Sequence, residues 1–278
     1  NIHAHPFWKL MFSEWQAKKD FTHYFLWGQD KEEYIKILNT TQGYLTQPLQ
    51  QFPDVHFQVY YFNEGAVWTN SLKPHSEEEK QIMKRFASVF SLTFRRYQDL
   101  KKAEAQAREA TIEASLEKVR GKAMAMHNSN DLSVTTSLII GELRKLGITP
   151  IRCGVGIINR ETHKAQLYTA TRSADGDSLS VVGWVMLKGH PVLENIYETF
   201  VKGEDYFPEL IGDSLRSYYE QLLAGLSVPL PDFKDGQKHY GHFFAVSVGC
   251  LYAWSDTRYN EDEIKILTRF ATIIDLTF

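Results

Sequence analysis

Two rhythms of apolar positions run through this chain, and the longest stretch of one of them lies in its middle. Residues 92–127 read LTFRRYQDLKKAEAQAREATIEASLEKVRGKAMAMH. The stretch has no proline, a single glycine (Gly121), and mostly Ala, Glu, Lys, Arg, Gln and Leu, the residues that lose least freedom on entering a helix. The pattern predicts one long helix, too polar for a core and too long for a simple connector. Apolar positions step by four and three at Phe86, Phe90, Thr93, Tyr97 and Leu100, and again at Ile112, Leu116, Val119, Ala123 and Met126. Both runs are heptad-like, but they do not share a register, and the break over 103–110 has the form of a stutter or stammer. One reading is a parallel coiled coil with Phe90, Tyr97, Leu100, Ile112, Leu116 and Val119 on the dimer seam. The other is a solvated helix bridging two domains of a monomer.

The segments on either side repeat one another. His5-Pro6 opens HPFWKLMFSEWQAKKDF, and His190-Pro191 opens HPVLENIYETFVKGEDYF. VYYFNEGAVW (59–68) matches FFAVSVGCLY (243–252), with Gly65 opposite Gly249. SEEEKQIMKRFASVFSLTF (76–94) matches NEDEIKILTRFATIIDLTF (260–278), with Arg85-Phe86-Ala87 opposite Arg269-Phe270-Ala271. His5 and His190 are 185 apart, and Arg85 and Arg269 are 184 apart. Two copies of one domain explain this agreement. The copies are unequal, because a preamble of roughly 116–189 precedes His190 and only four residues precede His5. The first copy therefore reads as truncated at its N-terminal side. Its open sheet edge needs a cover, for which pairing with another chain is one solution.

In the first copy the apolar spacing predicts helices over 7–18 and 31–41, the latter after a turn at Gly28. A hairpin about Asn63-Glu64-Gly65, or one bent strand, follows over 57–70. A helix then starts at Ser76, with Glu77, Glu78 and Glu79 favouring its N-terminus. In the second copy a polar interruption at 128–131 offers a cap for a helix over 132–146, which Gly147 ends. Strands follow over 151–158, 164–171 and 179–187, with a turn at 159–163 and a polar loop at 173–178. Helices begin after His190-Pro191 and at Asp213, and Pro229 and Pro231 bound a loop. Asp235-Gly236 marks a turn, 241–251 is a strand or strand pair, and a helix closes the chain over 261–278. The whole is an α+β design of antiparallel sheets with flanking helices.

Composition changes this picture little. The chain has 278 residues, 43% of them hydrophobic, and a net charge of −3, which gives no bulk electrostatic case for nucleic acid or an anionic membrane. No apolar run approaches the roughly 20 residues of a membrane span, and the start, NIHAHPFWKL, lacks the pattern of a signal peptide. Cys153 and Cys250 sit in apolar strand-like runs and read as buried free thiols in a reducing compartment, which points to the cytoplasm; a bridge between them is the less favoured alternative.

The helix–hairpin–helix–strand–helix order flanked by long helices resembles a GAF domain. In particular, DLKKAEAQAREATIEASLEKVRGKAMAMHNSNDL followed by ELRKLGI and RCGVGIIN is similar to the tandem sensor regions of bacterial signalling proteins. The resemblance implies the C-terminal half of a first GAF-like domain (1–94), a signalling helix (95–127) and a complete second one (128–278). It implies a region governing a histidine kinase core, or a cyclase or DNA-binding output, that acts as a homodimer through the helix. A ligand or partner would shift packing in the sheet domains and bias the helix register where the two heptad runs meet. The resemblance supplies no ligand residues and no cofactor. A structural dimerisation module without ligand is the rival class.

Candidate chemistry is sparse. His127 is followed by Asn128-Ser129, not the acidic pattern of a phosphoacceptor histidine, and reads as a helix-end residue. Gly154 and Gly156 lie within a strand and suit close packing better than a dinucleotide loop. His3 and His5 have the spacing of metal ligands but no companions nearby, and read as a frayed terminus. His239 and His242 point to opposite faces of a strand. No catalytic residue or metal site is expected. A small-molecule pocket under the helices of the second sheet remains, with Trp184, Tyr197, Tyr206 and Phe244 as its candidate lining.

Overall fold

The computed structural model describes residues 5–41, 48, 51–126, 129–172, 178–224 and 233–277. Among them are seven helices and two antiparallel sheets, of three and six strands, with one long helix between. The chain divides into two compact units, Asn1–Gln106 and Ala107–Phe278.

The first unit runs α1 (Pro6–Gln16), β1 (Phe21–Leu26), α2 (Gly28–Thr40), β2 (Val55–Phe62) and β3 (Gly65–Ser71), and takes in the first part of α3 (Glu77–Met124). Its sheet has the order β1-β2-β3. Phe7, Leu26, Phe57 and Val59 form its core, with Phe7 stacked on Phe57 at 4.3 Å between ring centres. His5 is the N-cap of α1, its Nδ1 accepting from Phe7 N at 3.2 Å. It is fully buried, so the expected frayed terminus does not extend to it; His3 lies outside the described residues. α3 starts with a capping box, in which Ser76 N donates to Glu79 and Glu79 N to Ser76 Oγ. It then runs without interruption for 48 residues.

The second unit is built on the end of α3, followed by α4 (Ser129–Lys145), β4 (Arg152–Asn159), β5 (Lys164–Arg172), β6 (Ser178–Met186), α5 (Pro191–Lys202), β7 (Glu209–Ile211), α6 (Asp213–Ala224), β8 (Lys238–Val246), β9 (Gly249–Ser255) and α7 (Glu261–Asp275). The strand order is β6-β5-β4-β9-β8-β7. Helices cover both faces of this sheet, which explains why β9 is buried along its whole length. One core lies on the face of α3, α4 and α7 and includes Ile139, Val155, Phe244 and Phe270. The other lies under α5 and α6 and includes Ile158, Leu193, Tyr219 and Phe243. Successive residues of β8, Phe243 and Phe244, point into different cores, as the two-residue period of a strand requires.

The repeat seen in the sequence is a repeat of fold. The order α-β-α-β-β-α occurs in 6–94 and again from Pro191, and β3 and β9 have the same length and are offset by 184. His190 caps α5 as His5 caps α1, accepting from Val192 N at 3.2 Å, and Asn260 with Glu263 repeats the capping box of Ser76 with Glu79. The change of offset falls between Asp20 and Gly28, where the first copy has one residue more than the second between Asp205 and Gly212. There β1 is a continuous strand, whereas Phe207-Pro208 separates the short β7 from an isolated bridge at Tyr206.

Two strands differ from expectation. The apolar pattern predicts neither β1 nor β7: β1 is an edge strand without clean alternation, and β7 is an edge strand of only three residues. Of the strand or strand pair expected over 241–251, the structure has the pair, a hairpin of β8 and β9 turning at Ser247-Val248. Of the polar loop expected at 173–178, Ser178 already begins β6 and the rest lies outside the described residues, as do the loop about Pro229 and Pro231 and the helix-end His127.

Candidate functional site

The second unit holds a small enclosed space between its sheet and helices α5 and α6. Its floor comes from β4, β5 and β9, its roof from Leu193, Tyr218 and Leu222. The volume is about 20 Å³, room for about one water.

Arg152 is the charged residue in the lining of this cavity. It stands at the start of β4, the single cation in the run IRCGVGII, with its guanidinium over the Tyr219 ring at 4.7 Å. Among the described residues it has no carboxylate partner. Tyr252 on β9 shares a hydrogen bond of 2.5 Å with Thr169 on β5. It reaches across β4 because position 154 is glycine: a Cβ there would lie 2.5 Å from the Tyr252 hydroxyl. The Gly154 of the sequence pattern thus serves close packing. Burial pushes the Tyr252 and Tyr218 hydroxyls well above their ordinary range. Tyr219 OH meets His239 Nδ1 at 2.9 Å, and Gln237 meets His239 Nε2 at 2.9 Å. Burial first, and the Arg152 charge second, hold His239 below the usual histidine value. Cys250 lines the same cavity, and burial raises its thiol to about 12. Cys153, buried in the other core, is raised to about 12 for the same reason. Both thiols are free and protonated at neutral pH, which leaves them poor nucleophiles. The arrangement leaves room for about one water among largely apolar side chains.

The four residues expected to line a pocket do not come together. Phe244 is buried on the opposite face of the sheet, in the core of α3, α4 and α7. Trp184 is 54% exposed on the edge strand β6, pointing away from its neighbour Val185, which is in the α5–α6 core. Tyr197 stacks on His163 at 3.9 Å and donates to the Arg160 carbonyl. Tyr206 packs at the rim, its hydroxyl accepting from Asn195 Nδ2 at 3.2 Å. None of them lines the cavity. Large aromatics were the natural candidates, but a strand has two faces, and sequence alone did not say which faced the cavity. The lone cation of an apolar run, Arg152, was the available signal.

The heptad positions of α3 also divide. Ile112, Leu116 and Val119 are buried within the second unit. There α3 is tied to α4 through Glu142, which accepts from Lys118 at 2.7 Å, Lys145 at 2.8 Å and Ser115 at 3.1 Å. Burial opposes the Glu142 charge, and these three bonds outweigh it, so its carboxyl is held below the ordinary value. The downstream heptad run is thus buried within the chain's own second unit. Phe90, Tyr97 and Leu100 are exposed.

His239 and His242 do point to opposite faces. His242 lies at 4.6 Å from Tyr259 between ring centres, and its Nδ1 has no hydrogen-bond partner among the described residues. Among the described residues no group of three His, Cys, Asp or Glu side chains has the arrangement of a metal site, and no helix is long and apolar enough to cross a membrane. A comparison of the chain with protein-family models and with curated proteins returned no match.

Proposed function

We propose that the chain is a sensory region of a bacterial signal-transduction protein, of the kind that governs a histidine kinase, built from GAF-like units that communicate through α3. The observation that carries this reading is the continuity of that helix. Its first turns follow β3 as the closing helix of the first unit, and its last turns place Ile112, Leu116 and Val119 in the core of the second. A strained or repacked first unit would then act on the second through one rigid element, since a helix interior resists interruption.

The test is to loosen one unit and read the other. Phe57→Ala opens a cavity in the first core, where Phe57 is buried. Hydrogen exchange should then rise at 112–123 as well as in β2. Ala105→Pro, which breaks the helix between the units at a cost of about 3 kcal/mol, should abolish the response at 112–123. An unchanged second unit in the Phe57→Ala protein with its helix intact would overturn the proposal.

The small cavity favours a second reading, a module that works without a ligand, since about 20 Å³ does not admit a metabolite. Native mass spectrometry separates the two: extra mass on the folded chain that is lost on denaturation supports a ligand sensor. The same spectrum reports the expected homodimer, whose contact is confined to exposed positions such as Tyr97 and Leu100.

A further inference from the structure

The two units answer each other position by position, so each shows what the other lacks. In α7, Ile266, Phe270, Ile273 and Ile274 are all 4% exposed or less and belong to the core that holds Ile112, Leu116 and Val119 of α3. Their counterparts in the first unit are Ile82, Phe86, Val89 and Phe90. These are 45%, 53%, 60% and 52% exposed. The apolar face is kept almost residue for residue, and here it is uncovered. Contiguous exposed apolar patches mark interaction surfaces, whereas scattered single residues do not.

The charges repeat as well. Arg269 bonds Glu109 at 2.9 Å and also Glu113, two carboxylates one turn apart on the helix that covers α7. Arg85 stands at the corresponding place, exposed and with no carboxylate partner among the described residues. The sheets tell the same story. β9 pairs with β8 on one side and, over 249–254, with β4 on the other. β3 pairs with β2, and no described strand pairs with its other edge. Among the described residues that edge therefore has no strand partner for its backbone donors and acceptors, and it lies beside the exposed Trp68. An apolar helix face, a cation and a strand edge, which in the second unit all serve one helix-and-sheet segment, are thus left uncovered together by the described residues of the first.

We infer that this combined surface is the docking site for a polypeptide that presents a free half-unit of the same make as 107–189. Its helix would carry an aliphatic run spaced as Ile112, Leu116 and Val119, with two carboxylates placed as Glu109 and Glu113 to meet Arg85. Its first strand would add antiparallel to β3. A second copy of this chain does not meet this description, because its segment of that pattern already buries Ile112, Leu116 and Val119 in its own unit. The inference does not depend on the sensory reading.

The test adds such a segment to the chain. A copy of residues 107–189 is placed directly before His5, so that Gly189 meets His5 as it naturally meets His190. The reporter is Phe86→Cys, labelled with a thiol reagent and read by mass spectrometry; the native Cys153 and Cys250 are buried. Labelling of Cys at 86 should slow at least about tenfold in the extended chain, because opening of the docked segment becomes necessary for reaction. Arg85→Glu should restore labelling, and Glu109→Lys with Glu113→Lys in the added copy should suppress it again. Unchanged labelling in the extended chain would overturn the inference. So would protection in the unextended chain that grows with protein concentration, because a second copy would then be the occupant.

Discussion

Phe86 and Phe270 are the same residue at equivalent places, so truncating each to alanine weighs one side chain in two environments. Phe270 is fully buried in the core between α7, α3 and the sheet. Its removal loses the transfer free energy of the ring and leaves a cavity, together about 3–5 kcal/mol. Phe86 is 53% exposed. Full burial of such a side chain contributes about 1.5–3 kcal/mol, so less than half of that, about 1 kcal/mol, is at stake, and water fills the space without a cavity term. Hydrogen exchange of the most protected amides reads each unit separately, through β2 for the first and β9 for the second. At about 1.4 kcal/mol per tenfold, Phe270→Ala should speed exchange in β9 by roughly two to four orders of magnitude. Phe86→Ala should speed exchange in β2 by about fivefold. An equal effect at the two sites would refute the reasoning, since it would mean that the face of α3 carrying Phe86 is already covered in the chain by itself.

The other predictions use the same correspondence and the buried histidines. Gly249→Ala should destabilise the second unit by about 1–3 kcal/mol or more, since a Cβ there would sit 1.8 Å from the Gly156 carbonyl oxygen. Gly65→Ala meets only the Phe62 ring at 3.4 Å and should be nearly neutral; urea midpoints measure both, and a mild Gly249→Ala would contradict the close pairing of β4 with β9. His239 and His242 are both held below the histidine value of 6.5, chiefly by burial. The unfolded chain therefore takes up protons that the folded one resists: their contribution to stability is present above about pH 6.5 and is lost as pH falls towards the lower folded values. Thermal unfolding followed from pH 7.5 to 5 should show this slope, and His242→Phe should flatten it; a stability that rises on acidification through this range would run against the assignment.

Much of the architecture is legible in the sequence because it depends on local pattern. The helix-forming composition around 103–110, the acidic start at 77–79 and the absence of proline predict an uninterrupted α3. The His-Pro caps and the shared Arg-Phe-Ala triplets predict the repeat. These signals act between neighbours along the chain, so a linear sequence contains them whole. β1 and β7 escaped notice because an edge strand with one partner needs no strict alternation, and FTHYFL does not show any.

What sequence could not decide is which surface each apolar residue meets. Ile112 and Phe90 fall in equally good heptad runs, yet the first is buried against its own unit and the second is exposed. Phe243 and Phe244 are adjacent and alike, yet they enter different cores. Trp184 and Phe244 were equal candidates for one pocket, and the sheet sets one at its edge and the other on its far face. The sequence by itself determined the helices, their caps and the twofold repetition, because hydrogen bonds within a helix and the spacing of apolar residues are properties of neighbours. Only the tertiary structure decided that, among the described residues, β9 has two strand partners where β3 has one, and that Arg269 meets carboxylates where Arg85 meets none. Those differences depend on whether a segment distant in sequence is there to be packed against, and no local pattern records that.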